Sequence, residues 1–480
     1  MPRKPRSVES RIDSIIATLD RKDKNIIKRQ MRSVICTTCS EKIPFIDRTI
    51  ATRIKEHVAS RSHTFTKDRK PQTLIEDAFQ STSQQLIAQD QFNRLIARGL
   101  MAADIPLEKL GNPSFRQMLT NISGKKIPHS NTIRGTIVKE ISSSVIDKIK
   151  KRIAGHEVYF IVDETTDPAS RFCTNVMVGP LDGTKCKAML VNVCFNDRND
   201  NKTVQQAVVQ TCQVLWPDKN VYDLLTLILS DQARYMLLAV SEIKKNSLMF
   251  PNVSHVTCLA HALSLVAKEI QKNYYLVDKY LADNKKFLLK SNKRKFDFKQ
   301  QTGLTLPPIP VLTRWGTWMN AVAFHQTNYT AIRNFVVSYK PDSKSAAFES
   351  LKKIMSGQKL CKDLYDLRKY TGISNLIIGL EQHGVTMEKQ LELVKECQDM
   401  LKDTPYEEKL VSALKKNPDL VSFTSQVLPD VRIKREFCPL VSVEVERSFS
   451  KFKSFLRSNR QRMTTDNIKH HMIVHYNNFL

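Results

Sequence analysis

Two aspartates carry the clearest chemical suggestion in this 480-residue chain. In VYFIVDETT (158–166) an apolar run ends in Asp163, and in LLTLILSD (224–231) a second ends in Asp231. A carboxylate at the end of a buried strand is costly unless it is paired or holds a metal. Two such groups facing one another also repel, and a divalent cation relieves both problems. Hard oxygen donors suit Mg²⁺ or Mn²⁺. A third acid, Glu446, lies in CPLVSVEVERSFSKFKSFLRSNRQRMTTDNI (438–468) and shares a helical face with Phe449, Phe452 and Leu456. It either completes the acidic set or forms a salt bridge to Arg447 or a lysine.

The second constellation is Cys36-x2-Cys39-x17-His57-x5-His63. Two thiolates and two imidazoles make a complete tetrahedral donor set for structural zinc. The last gap puts both histidines near the end of one helix. Asp47 can cap that helix, and Ile50, Ile54 and Val58 form its inner stripe. Its outer face offers Arg48, Arg53, Lys55 and Arg61. The alternative is a set of unrelated cysteines and histidines. Cys258 and His261, with His255 nearby, invite a zinc reading too, but no second pair accompanies them, and a buried strand–helix corner often holds such residues.

The elements that must position the acids follow from periodicity. FCTNVMVGPL (172–181) and KCKAMLVNVCF (185–195) read as strands after 158–166, with turn residues in the gaps. TVQQAVVQTCQVLWP (203–217) presents one apolar helical face and stops at Pro217. A strand over 224–231, a helix over 233–245, a short strand over 254–258 and a helix over 260–270 follow. Three strands in meander, then helix, strand, helix, strand, helix assemble a mixed sheet with helices on both faces. That is the order of the ribonuclease-H-like fold, in which the first and fourth strands are neighbours, so Asp163 and Asp231 would face each other. The expected fold class is therefore α/β: a ribonuclease-H-like core interrupted by an all-α insertion and preceded by a small zinc finger. The expected segments are a basic tail (1–30), the finger (31–70), a helical linker region (71–150), the first part of the core (151–272), a helical insertion (273–430) with a proline-rich hinge at 306–315, and the end of the core (431–480).

Bulk properties fit. Lysine and arginine total 75 against 48 acids, a formal charge of +27 and a pI near 9.6. That bias favours a polyanionic partner, nucleic acid or an anionic membrane surface. No apolar run reaches the length of a membrane span. The basic start, MPRKPRSVESR, lacks the apolar segment of a secretory signal and reads as a solvated tail, a nuclear address or a DNA-touching arm. Ten cysteines without such a signal fit reduced thiols. KKFLLKSNKRKF (285–296) and RSNRQRM (457–463) are concentrated positive patches.

Several motifs together resemble the hAT family of transposases. VERSFSKFKSFLRSNRQRMTTDNI resembles that family's C-terminal signature. FIVDETTD resembles the segment of its first catalytic aspartate, and LSDQARYM that of its second, with Gln232 where asparagine is usual. CLAH (Cys258-x2-His261) and LTRWGTW (Arg314, Trp315) resemble its C-x2-H and arginine–tryptophan motifs. The wide central gap of the finger resembles BED-type fingers and CGG-repeat-binding proteins. The resemblance implies an Asp163–Asp231–Glu446 triad holding two Mg²⁺ ions, with Glu164 and Asp167 as flanking surface or supporting groups. It implies cut-and-paste DNA transposition in the nucleus, with a hairpin formed on the flanking donor ends. Cys258 and His261 would support the active site or the DNA. Arg314 and Trp315 would contact DNA, the tryptophan stacking on an unpaired base; core packing is the alternative for Trp315. Arg48, Arg53, Lys55 and Arg61 would contact double-stranded DNA from the finger. The C-terminal region would make a homo-oligomer, although its large apolar residues fit core as well as interface. Two other functions remain open: a transposase-derived nuclear DNA-binding regulator that no longer cuts, and a nuclease of the same fold acting on RNA or a hybrid.

Overall fold

The computed structural model describes residues 7–19, 21–30, 33–39, 41–44, 49–60, 75–311, 316–340, 345–425, 428–456 and 463–480. It divides into two units, Met1–Gln91 and Phe92–Leu480. In the first, strands β1 (Ile27–Gln30), β2 (Ser33–Cys36) and β3 (Lys42–Pro44) form an antiparallel sheet in that order. A helix at Ile50–Ala59 follows. Ile12, Ile27, Val34, Cys36, Ile43, Ile50 and Ile54 make one small core. Within the segment 1–30, expected as a tail, the described residues include the helix Val8–Ala17, which contributes Ile12, and β1, which contributes Ile27. A core this small rarely holds a sheet by itself, and a metal is a common supplement.

The second unit is mixed α/β with one five-stranded sheet. Its strands are β4 (Val158–Thr166), β5 (Phe172–Pro180), β6 (Met189–Asn196), β7 (Leu225–Ser230) and β8 (Ser254–Thr257). Their order is β6-β5-β4-β7-β8. β4, β5 and β6 pair antiparallel, whereas β4–β7 and β7–β8 are parallel. The meander is joined by tight turns, and the parallel pairs need crossovers, which the helices Asn201–Leu215 and Arg234–Lys245 supply. β6 begins later than its apolar run suggests, because Gly183, at φ 75°, turns the chain and 184–188 remain outside the ladder.

Side-chain alternation splits the sheet's burial between two layers. Val158, Phe160 and Val162 face one core with the helix Val138–Ile153, while Tyr159 and Ile161 face another with Leu263, Phe449 and Phe452. From Tyr275 to Lys434 the described residues contain helices and no strand of the sheet. The helices Val443–Phe455 and Thr465–Tyr476 end the chain.

Both sheet edges are closed by asparagine side chains acting as peptide mimics. At β8, Thr257 N–H donates to Asn417 Oδ1 (2.9 Å) and Asn417 Nδ2 donates to the Thr257 carbonyl (3.0 Å). At β6, Leu190 N–H donates to Asn477 Oδ1 (3.0 Å) and Asn477 Nδ2 returns to its carbonyl (2.8 Å). Edge groups satisfied in this way are withdrawn from pairing with other chains.

Candidate functional site

Strand register brings the two aspartates level. Ile161 pairs with Leu229 in the parallel β4–β7 ladder, an offset of 68 residues. The same offset separates Asp163 from Asp231. Asp163 follows Tyr159 and Ile161 in alternation, and Asp231 follows Leu227 and Leu229, so both belong to the layer capped by the helix Val443–Phe455. Asp163 is only 7% exposed. Its Oδ1 accepts the Glu164 N–H (2.7 Å), and Asp231 Oδ1 accepts the Ala233 N–H (3.0 Å). Burial pushes the Asp163 carboxyl well above its usual range, and the charges of Glu446 and Asp231 push it further, against a smaller pull from His261.

The helix carrying Glu446 is anchored beside them. Asn175, paired with Asp163 across β4–β5, donates to Ser448 Oγ (2.8 Å). Phe449, Phe452, Phe455 and Leu456 are buried, with the Phe452 ring 6.2 Å from that of Phe195. Those residues are therefore core. Among the described residues Glu446 forms no ion pair with Arg447 or a lysine: Arg447 pairs with Glu444 and donates to the Glu381 carbonyl (2.7 Å). Glu446 Oε1 instead lies 3.8 Å from His261 Nε2.

His261 Nδ1 is 3.4 Å from Ser442 Oγ, and Cys258 Sγ accepts the Ser442 N–H (3.2 Å). The Cys258 sulfur first, and then Asp163 and Glu446, raise the imidazole and favour its protonated form. Cys258 and His261 thus fasten the start of the Glu446 helix to the end of β8. Gln232 reaches both Thr257 Oγ1 (3.0 Å) and the Ala413 carbonyl (2.9 Å), fastening the loop after Asp231 to β8 and to the helical segment. His255 Nε2 lies 2.9 Å from Ser230 Oγ, and burial lowers its ring to about 4, leaving it neutral at physiological pH.

The flanking acids differ from one another. Glu164 points to the opposite layer, where Thr174 Oγ1 donates to its Oε1 (3.0 Å) and burial raises its carboxyl. Asp167 is not a surface group: it is 5% exposed. It accepts from the Ala169 and Arg171 amides (2.8 and 2.9 Å) and from Arg171 Nε (2.7 Å), which fixes the β4–β5 turn. Periodicity cannot detect that role, although the D-x3-R spacing is a usable hint.

In the finger, Cys36, Cys39 and His57 bring their donor atoms within 4.8 Å of one another. This group could hold a metal ion, compatibly with structural zinc. Cys39 Sγ is 3.2 Å from His57 Nε2. A tetrahedral ion with Zn–S of about 2.3 Å and Zn–N of about 2.0 Å sets that edge at about 3.6 Å, so a few tenths of an ångström of opening admits it. Glu41 Oε2 lies 3.2 Å from His57 Nδ1, a carboxylate orienting the ring from behind. Sequence reading missed Glu41; an acid two residues after the CxxC was its available signal. Burial raises the Cys39 thiol, and the Cys36 sulfur adds to this, while a backbone hydrogen bond at Glu41 opposes it. The helix ends at Ala59, and Thr49 precedes it without a side-chain cap bond. Arg53 and Lys55 are exposed on it. Asp47, Arg48, Arg61, His63, Arg314, Trp315 and most of the run at 457–463 lie outside the described residues.

Among the described residues the finger group is the only such cluster of three donors. Glu446's side chain is 51% exposed. The raised Asp163 carboxyl is a charge deficit that cations would fill. In comparisons with known proteins, no family model and no curated protein matches the chain.

Proposed function

We propose that this chain is a DNA strand-cleaving and strand-joining enzyme of the hAT transposase type, with a ribonuclease-H-like core and an N-terminal zinc finger. One observation carries the reading: Asp163, within β4 just past its parallel pairing with β7, and Asp231, directly after β7, lie level on one face, beneath a helix bearing a third acid whose charge reaches the first. The strand order, three antiparallel and then two parallel, is the one expected of that core.

Asp163, Asp231 and Glu446 would hold two Mg²⁺ or Mn²⁺ ions, which supply activation of a water or 3′-hydroxyl and stabilise the leaving oxygen. The protein's own residues do the rest. Ser448 and Asn175 hold the helix at the level of Asp163. His261 keeps Glu446 oriented through charge, and Gln232 fixes the loop after Asp231. In the finger, Cys36, Cys39, His57 and His63 would hold zinc, and Arg53 and Lys55, with Arg48 and Arg61, would meet DNA phosphates or base edges. Arg314 and Trp315 are assigned to DNA through the resemblance alone. A nuclear location accompanies this function. Self-association would use surfaces other than Phe449, Phe452, Phe455 and Leu456, which the core consumes.

The half-exposed side chain of Glu446 favours one second reading, a regulator that binds DNA without cutting it. Incubating the full chain with Mg²⁺ and labelled duplex ends separates the two. The enzyme reading expects cleavage that falls more than about 100-fold in Asp163→Asn and in Glu446→Gln, the several kcal/mol carried by metal-held charge. Binding without cleavage by the unaltered chain, or equal cleavage by all three proteins, overturns it.

A further inference from the structure

A cationic surface lies at the β6 edge of the second unit. Three ammonium groups are held there by aromatic rings from different elements. Lys187 Nζ sits 5.0 Å from the centroids of both Tyr476 and Phe479. Lys451 Nζ, from the helix Val443–Phe455, lies 5.1 Å from the Tyr476 ring. Lys185 Nζ lies 5.3 Å from the Phe437 ring. A ring face attracts an ammonium without neutralising it, so these contacts fix position and leave the charge available.

The neighbouring carboxylates are already committed. Asp182 pairs with Arg152 (2.7 Å), and Glu444 takes Arg447 and the Tyr476 hydroxyl (2.7 Å). Among the described residues no carboxylate forms an ion pair with Lys185, Lys187 or Lys451. Burial lowers the Lys451 ammonium and the nearby Lys187 charge lowers it further, against a smaller pull upward from Glu444. Like charges pressed together on a buried ring are unfavourable unless an anion joins them. Tyr476 is fully buried, so it serves as a platform for the lysines and not for a stacked base. That favours contact with a backbone over reading of bases. Duplex DNA presents one charge per about 1.7 Å of axis, twice the density along one of its strands.

We propose that Lys185, Lys187 and Lys451 form a sequence-independent docking surface for the phosphate backbone of double-stranded DNA. The surface does not depend on the acids being catalytic.

The test is fluorescence anisotropy of the full chain with a labelled 20-base-pair duplex of arbitrary sequence, between 50 and 200 mM salt, with circular dichroism checking the fold. Each phosphate neutralised contributes about 0.9 to the slope of log affinity against log salt. The triple variant Lys185→Gln, Lys187→Gln, Lys451→Gln is expected to lower that slope by about 2 to 3 and to bind more weakly at 50 mM. Should the triple variant misfold, Lys185→Glu on the exposed turn is expected to lower the slope by about 1. An unchanged slope in a folded variant overturns the proposal. So does a variant that binds duplex normally but loses binding to phosphatidylserine vesicles, since the surface would then serve a membrane. Absent cleavage with an altered triple-variant slope would remove the enzyme reading and leave this one standing.

Discussion

Glu41→Ala is the most informative perturbation of the finger. The carboxylate stands 3.2 Å from His57 Nδ1, and the substitution leaves the donor residues Cys36, Cys39 and His57 in the chain. What it removes is the acceptor that fixes the tautomer, directing the Nε2 lone pair toward Cys39. Loss of such a group costs about 10- to 100-fold in metal affinity. Glu41 is 60% exposed, so water replaces part of its effect and the lower end applies. The expected loss is about tenfold in zinc affinity, or about 1.4 kcal/mol. The assay is competition between the full chain and a chromophoric zinc chelator, with metal content checked by mass spectrometry. Cys36→Ser and His57→Ala, which remove donors, should lose far more. The Cys39 thiol is raised, so protons compete strongly with the metal, and affinity should climb with pH across the neutral range. Glu41→Ala within twofold of the unaltered chain, or full zinc occupancy in Cys36→Ser, would refute the assignment.

Other outcomes follow from the second unit. Because Asp163 is raised in the fold, folding takes up a proton above the ordinary value of 3.8, and stability falls as pH rises through that window. Asp163→Asn should therefore melt higher than the unaltered chain at pH 7 without divalent metal, the gap closing toward pH 4. Added Mg²⁺ should stabilise only the unaltered chain, and scanning fluorimetry reads both effects. Phe452→Ala empties a fully buried site and should cost about 3–5 kcal/mol in urea unfolding, with the mass by light scattering unchanged. Asn417→Ala strands the Thr257 N–H and carbonyl at a buried edge, costing about 1–3 kcal/mol and speeding exchange of the Thr257 amide.

Much of the architecture was legible before any coordinates. The β4, β5 and β7 strands and the helices at Asn201–Leu215 and Arg234–Lys245 sit within a few residues of their apolar patterns. Those elements are long, strongly periodic and punctuated by Asp, Gly and Pro. The helix Val8–Ala17 and β1 were not legible, since one buried residue in each short element leaves little periodic signal. Nor were the side-chain roles of Asn417 and Asn477, which bond to strands 160 and 287 residues away.

The amino-acid order alone determined that Asp163 and Asp231 end apolar runs, and that Cys36, Cys39 and His57 occur at metal-binding spacing. These are properties of neighbours in the chain, governed by the two-residue and 3.6-residue periods. Tertiary structure decided the rest. It put Arg447 on Glu444 and left Glu446 beside His261, buried Asp167 under Arg171, and turned Glu164 away from Asp163. One turn of helix or one step of strand separates those alternatives. Only the packing of distant segments selects which carboxylate loses its water and which finds a cation.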